Sequence, residues 1–462
     1  MAVAVPLLLV LVAGGLRLYL LDHPSRIYFD ETYYANDAHE YLSLGVEEDF
    51  AVHPPVGKWL LAAGIALFGF DSFGWRFSSA VAGTLTVLVV YLAGLRLFRR
   101  RGVAALAAFL LTIEGVAFTA SRIAMLDVFL MLFVVTGFWL LLVDRDRQWS
   151  GPHREPARPG EAPLASLLRR PHPQRWLAGA ALGLALATKW SALLALAAAV
   201  LLVVASELTW RKRVVGRPLA RAWPAAGNVA LTLVALPLAV YLVSYLPWFA
   251  NFENTRPGKA RCPDGVCALS LPAMVGAWWD EQTDIWRFHR DLVAEHPYRA
   301  SALTWPVLQR PIAYYYESCN DDKLAKGECV VARGNVEEIL GLGNPAIWWL
   351  GLGAYPLLGW LAVARRDWPA GAILVFLALQ YLPWLAATRP VFLFYAAPLV
   401  PFLCLGLAYA AWHLGRRPLL GWVPTFVTVM AVAAFLFWYP LYVGLEIPRG
   451  AWNLRIWMRS WV

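Results

Sequence analysis

The chain is expected to fold as an all-α polytopic membrane protein with about eleven transmembrane helices, for three reasons. Apolar residues fill 60% of its 462 positions and charged residues only 15%, against roughly 25% in an average soluble chain. The apolar residues gather into runs near the length of about 20 that a bilayer demands. Lys and Arg fall in the short connections between those runs.

In chain order, the runs cover 2–21, 75–98, 102–120, 125–143, 176–188, 190–208, 225–249, 345–364, 368–387, 390–412 and 421–443. The first lacks the basic start and small-residue cleavage site of a secretory signal, so it is expected to stay as the first span. Basic clusters at 99–101, 145–175, 211–221, 365–366 and 416–417 are separated by even numbers of runs. They therefore share one face, the cytoplasmic one. The net charge of +9 follows from this topology and implies no nucleic-acid partner. The segment 57–70 is too short for a span and is assigned to an interfacial helix of the first outer loop.

This divides the chain into a transmembrane module at 1–249, whose first outer loop is 22–74, an extracytoplasmic loop domain at 250–344 before the eighth span, and C-terminal spans at 345–443. The stretch 144–175, rich in Pro, Arg and Gly, reads as a mobile cytoplasmic linker. The tail 444–462 spaces Trp457 and Trp461 four apart with Arg455 and Arg459 nearby, the pattern of an amphipathic interfacial helix on the outer face. Four cysteines lie in the long outer loop, where an oxidising compartment favours the pairs Cys262–Cys267 and Cys319–Cys329. Zinc is the alternative, but the spacings C-x4-C and C-x9-C lack its usual close ligand pairs.

The chemistry is expected in the polar stretch Arg26 to Lys58, where Asp30 and Glu31 stand together after Tyr28 and Phe29 at a membrane surface. A carboxylate that has lost part of its water there can act as a base near neutral pH. Parity puts Asp30, the turn holding Arg122 and Asp127, the turn at Lys189 and the turn at Arg389 on the same outer face. Ionised groups at helix ends inside a membrane are costly and tend to be functional. Such a gathering suits transfer from a lipid-linked phosphate to a hydroxyl: cations offset the charge on the departing polyprenyl phosphate, and a carboxylate takes the hydroxyl proton.

Each candidate has a second reading. Arg76 either holds the acidic pair or faces the phosphate. Arg122, also a donor-phosphate candidate, can instead form an internal ion pair with Asp127. Lys189 either binds phosphate or caps the preceding helix, and Arg389 either forks onto phosphate or snorkels. His53 is assigned a loop-fixing hydrogen bond, and Lys58 closes the same segment. His289 and His296, seven apart on an outer-loop helix, join Trp305 as candidates for an acceptor groove. Two adjacent acids could hold a divalent metal, but no D-x-D cluster shares it, so no metal or other cofactor is expected.

Taken together, FDE at 29–31, VHPPVGK at 52–58, GWRFSSAVAG at 74–83, SRIAMLDVFLMLF at 121–133, ATKWSAL at 187–193, FHRDL with HPY at 288–298, TWPVLQRP at 304–311 and TRPVFLFYAAPLVPF at 388–402 resemble the protein O-mannosyltransferase family. The resemblance implies a GT-C fold and inverting transfer of mannose from polyprenyl-phosphate mannose to Ser or Thr of secreted, Ser/Thr-rich polypeptides. It further implies an active site on the extracytoplasmic face of the cell membrane and, as in bacterial members, chains arriving from the Sec translocon. Asp30 and Glu31 match the family's catalytic signature, and Arg76 matches an arginine important there. On this reading Asp30 takes the proton, Glu31 orients the acceptor or Arg76, and Lys189 and Arg389 neutralise the phosphate.

Two features depart from the fungal pattern. The outer loop is too short for the fungal β-trefoil domain, and Thr32 and Tyr33 replace the Val-His that follows the acidic pair. The DETYY wording also suits GT-C transferases that modify an envelope lipid or glycan. A flippase for lipid-linked sugar is the remaining alternative, and it would place charge near the midplane of repeat-related halves.

Overall fold

Helices form where the apolar runs lie, and several of them start at a side-chain cap. The computed structural model describes residues 3–49, 51–150, 172–214, 223–262, 270–293 and 295–462. After α1 (Ala4–Leu18), the polar first loop folds into α2 (Glu31–Ser43) and α3 (Val56–Phe68), which packs on the long α4 (Ser72–Phe98). Asp71 caps α4 by accepting the Gly74 N–H at 2.8 Å. At 13 residues α3 is about 20 Å long, well short of the roughly 30 Å of a hydrocarbon core.

Among the described residues, eight helices are long and apolar enough to cross a membrane. The runs 2–21, 102–120 and 176–188 fold as shorter helices, which departs from the uniform spans expected. The run 102–120 divides into α5 (Arg101–Thr112) and α6 (Gly115–Ala120) at Glu114. This buried carboxylate caps α6 through the N–H groups of Val116 and Ala117, and also accepts from Asn344 N and Trp348 Nε1. Four donors make one acid tolerable inside an otherwise apolar run.

α7 (Asp127–Ser150) continues past residue 144, so the expected linker starts inside a helix, and its portion 151–171 lies outside the described residues. The helix Pro173–Leu186 lies between α7 and a helix interrupted by a π turn at Leu231–Ala235. A side chain at Gly179 would collide with the Thr232 carbonyl, so glycine sets this close crossing.

The segment before the eighth span is built on the amphipathic helix Leu271–Asp291, which buries Ala277, Glu281 and Ile285 along one stripe. Strand β1 (Ile312–Ser318) pairs antiparallel with β2 (Asn335–Gly341), with an irregularity between Ala313 and Tyr315. The short β3 (Ile447–Pro448) extends the sheet by pairing Ile447 with Val336. A disulfide joins Cys319 to Cys329, Cα atoms 5.1 Å apart. The expected Cys262–Cys267 pair lies outside the described residues, because Cys267 is not among them.

The tail corrects the expectation of one interfacial helix. It forms β3, a short helix Arg449–Asn453 and a 3-10 turn Arg459–Trp461. Trp461 is fully buried and donates its Nε1–H to Leu308 O at 2.8 Å, while Trp452 donates to Glu338. These aromatics bury against the outer loop and not in lipid, which removes the reason for a continuous amphipathic period.

Candidate active site

Glu31 opens α2 with its side chain turned into the protein. Its Oε1 accepts from Arg76 Nε at 2.7 Å and Ala124 N at 3.0 Å, and its Oε2 from Arg76 Nη2 at 2.9 Å and Tyr28 N at 3.4 Å. Arg76 also donates to the carbonyls of Leu21, Pro24 and Arg26. All five guanidinium N–H groups are thereby spent inside the fold. Arg76 holds the acidic pair through Glu31, and the alternative that it faces a phosphate is set aside.

Asp30 is the opposite case. It precedes α2, is half-buried, and its carboxylate has no hydrogen bond or ion pair among the described residues. Burial lifts its pKa to about 6, against the pull of Lys189 and with a smaller push from Asp127. Because Glu31 is saturated by donors, the two adjacent acids do not converge on one cation.

Lys189 lies in the turn after Pro173–Leu186, and its Nζ reaches both oxygens of Asp127, the first residue of α7, at 2.9 Å each. It is therefore neither an unpaired ammonium nor a helix cap. Two contacts leave one of its three N–H bonds uncommitted. The Nζ also stands 4.8 Å from the centroid of the Tyr395 ring.

Arg122 corrects another expectation. It does not pair with Asp127; it donates to the carbonyls of Leu16, Arg17, Tyr19 and Leu20, closing the C-terminal end of α1. Those bonds turn its Nη1 and one hydrogen of Nη2 onto the end of α1.

Arg389 is half-buried at the mouth of the site. Its Nη2 donates to Tyr395 Oη at 3.1 Å and its Nη1 to His289 Nδ1 at 2.6 Å. Since His289 Nε2 faces the carbonyl of Val52 at 3.0 Å, that nitrogen carries the proton and Nδ1 accepts. Burial, and then the Arg389 charge, depress the His289 pKa to about 4, so the ring is neutral. His53 stacks on His289 with centroids 5.1 Å apart, and burial holds its pKa well below the usual value. Its Nδ1 is buried without a partner among the described residues, contrary to the loop-fixing bond expected of it.

The remaining candidates stand apart. Lys58 is buried between Glu47 and Asp37, tying α3 to α2 and the segment beyond it. His296 lies past the helix end at Asp291 and not on one helix with His289, and its Nδ1 accepts from Tyr298 N. Trp305 walls an apolar cavity of about 510 Å³ with Trp348, Tyr355, Leu377, Tyr381 and Leu403. Tyr395, not singled out from sequence, touches both Lys189 and Arg389, and its neighbour Ala396 lines that cavity. The 3-10 segment Leu393–Leu399 thus joins the cationic mouth to an oily chamber.

Known proteins share this architecture. The family model described as dolichyl-phosphate-mannose-protein mannosyltransferase matches residues 7–72 and 70–252. That of the C-terminal four TMM region of protein-O-mannosyltransferase matches 274–461. Polyprenol-phosphate-mannose protein mannosyltransferases of Mycolicibacterium smegmatis and Mycobacterium tuberculosis are each 35% identical to the chain. The first covers 94% of this chain and 87% of its own, the second 98% and 90%. The S. cerevisiae Pmt1–Pmt2 complex bound to its sugar donor aligns with a TM-score of 0.77 at 15% identity, over 99% of this chain and 92% of that one. ArnT from Cupriavidus metallidurans bound to undecaprenyl phosphate aligns at 0.54 and 18%, over 95% and 72%.

The fold is that of a membrane glycosyltransferase of the GT-C type. Within that class, the chain belongs to the protein O-mannosyltransferase family.

Proposed function

We propose that the chain transfers mannose from polyprenyl-phosphate mannose to Ser or Thr hydroxyls of a polypeptide, on the extracytoplasmic face of the plasma membrane, as the acceptor leaves the Sec translocon. The observation that carries the roles is the contrast between the two acids: Glu31 is saturated, whereas Asp30 is unbonded with a pKa of about 6. The acceptor oxygen attacks C1 of mannose while its proton passes to Asp30, and the C1–O bond to phosphate breaks. The electron pair leaves with the polyprenyl phosphate, whose charge Lys189 and Arg389 offset from the mouth. The apolar cavity beside Tyr395 suits the first isoprene units.

The acceptor class is tested by supplying purified enzyme with lipid-linked mannose and either a Thr-rich peptide or an envelope glycan. Mannosylated peptide is the expected product. Transfer to the glycan alone would overturn the polypeptide assignment.

A further inference from the structure

The far pole of the bundle carries a second ionic site that the chemistry above does not use. Arg76 lies near the start of α4, Arg96 in its last turn, and Arg99 at its C-cap. From Arg76 to Arg99 is 23 positions, which at about 1.5 Å per residue separates the two sites by about 35 Å, one membrane thickness. α7 spans the same gap, with Asp127 at one end and Arg145 towards the other.

At that pole Arg96, Arg99, Arg145, Asp146, Leu142 and Trp368 line a pocket of about 170 Å³. Asp146 accepts from Arg99 Nη2 at 2.6 Å and stands 3.6 Å from Arg96 Nη1. Two guanidinium groups thus approach one carboxylate, and a third, that of Arg145, lines the same pocket. Arg145 has its Cζ 4.2 Å from the Trp368 ring centroid and 5.0 Å from that of Trp149, and its Nε is buried without a hydrogen-bond partner among the described residues. Aromatic faces fix the plane of a guanidinium but take none of its in-plane hydrogens.

The neighbouring Arg175 is built differently. Asp144, Glu207 and Asn228 accept its donors, which closes that network on itself. The Arg145 pocket is not closed in this way, since Asp146 is its one carboxylate.

We propose that this pocket binds the phosphate of an anionic phospholipid headgroup, on the membrane face opposite the transfer site. Three arginines against one aspartate leave two positive charges for a phosphodiester to offset. The pocket lies where α4, α7 and the helix Trp368–Tyr381 end, and Leu97 and Leu142 form its apolar wall, which fits a glycerol backbone with acyl chains and not a free ion.

The test uses the full chain, delipidated in neutral detergent and titrated with phosphatidylglycerol, phosphatidylcholine or inorganic phosphate, with bound lipid counted by native mass spectrometry. Phosphatidylglycerol should bind in preference to phosphatidylcholine and weaken about fivefold for each arginine removed in Arg145→Gln and in Arg96→Gln/Arg99→Gln. The double variant alters side chains 46% and 67% exposed, so it reports even where Arg145→Gln fails to fold. Equal retention of phosphatidylglycerol by parent and variants would overturn the site. Displacement of that lipid by inorganic phosphate at matched concentration would overturn the lipid assignment.

Discussion

Arg76 and Glu31 form a parallel fork, Nε to Oε1 at 2.7 Å and Nη2 to Oε2 at 2.9 Å, with neither side chain exposed. The fork assigns two neighbouring acids to different tasks, since Glu31 is committed to architecture while Asp30 beside it stays unbonded.

Arg76→Lys should therefore behave as a folding mutation. A lysine cannot reproduce the fork or reach three further carbonyls, and a buried carboxylate stripped of its main partner costs about 3–5 kcal/mol. Thermal unfolding in detergent should show a large drop, and a parental melting temperature would refute the account.

Asp30 must be ionised to accept a proton, so with a pKa of about 6 the transfer rate should fall as pH drops through 6 and level off above it. Asp30→Asn should reduce transfer by on the order of 10²–10⁴. Stability should move the other way. The folded state holds this proton more tightly than the unfolded chain, so ionised Asp30 costs nothing below the ordinary value of 3.8 and its full penalty above about 6. Allowing for partial solvent contact, the variant should gain on the order of 1–2 kcal/mol at pH 7.5 and nothing at pH 3.5. A variant destabilised at pH 7.5 would contradict this.

Lys189 and Asp127 serve each other before they serve any ligand. Lys189→Met should destabilise by about 3–5 kcal/mol by stranding Asp127, and Lys189→Met/Asp127→Leu should recover most of that loss. Activity should stay low in both chains, because the cation near the phosphate is gone. A stable double variant with parental turnover would remove Lys189 from the mechanism.

Tyr395→Phe keeps the ring over Lys189 but deletes the hydroxyl that Arg389 Nη2 donates to at 3.1 Å. Losing one hydrogen bond to a charged group should raise the donor KM on the order of tenfold, with kcat little changed. A fall in kcat at constant KM would move Tyr395 from positioning to chemistry.

Much of this was legible in the sequence, because hydropathy and charge act over whole runs. The helical class and the acidic pair beside the first run need no knowledge of distant partners. What escaped depended on side chains meeting across the fold. Glu114 breaks an apolar run because Trp348 and Asn344, more than two hundred residues away, supply donors. Arg122 and Asp127 sit five apart and suggest a local pair, yet each is claimed by a distant partner: the end of α1 and Lys189. The tail has the right spacing for a lipid surface, but Trp461 finds Leu308 instead.

The pairing of Ile447 with Val336 has a consequence for how the molecule is assembled. Four candidate spans, from Pro345 to Val443, intervene between the two strands. The third strand cannot be laid down until that whole stretch has been threaded through the bilayer and returned to the same side. Biogenesis is thereby given an order: the sheet gains its third strand only after those four candidate spans are in place.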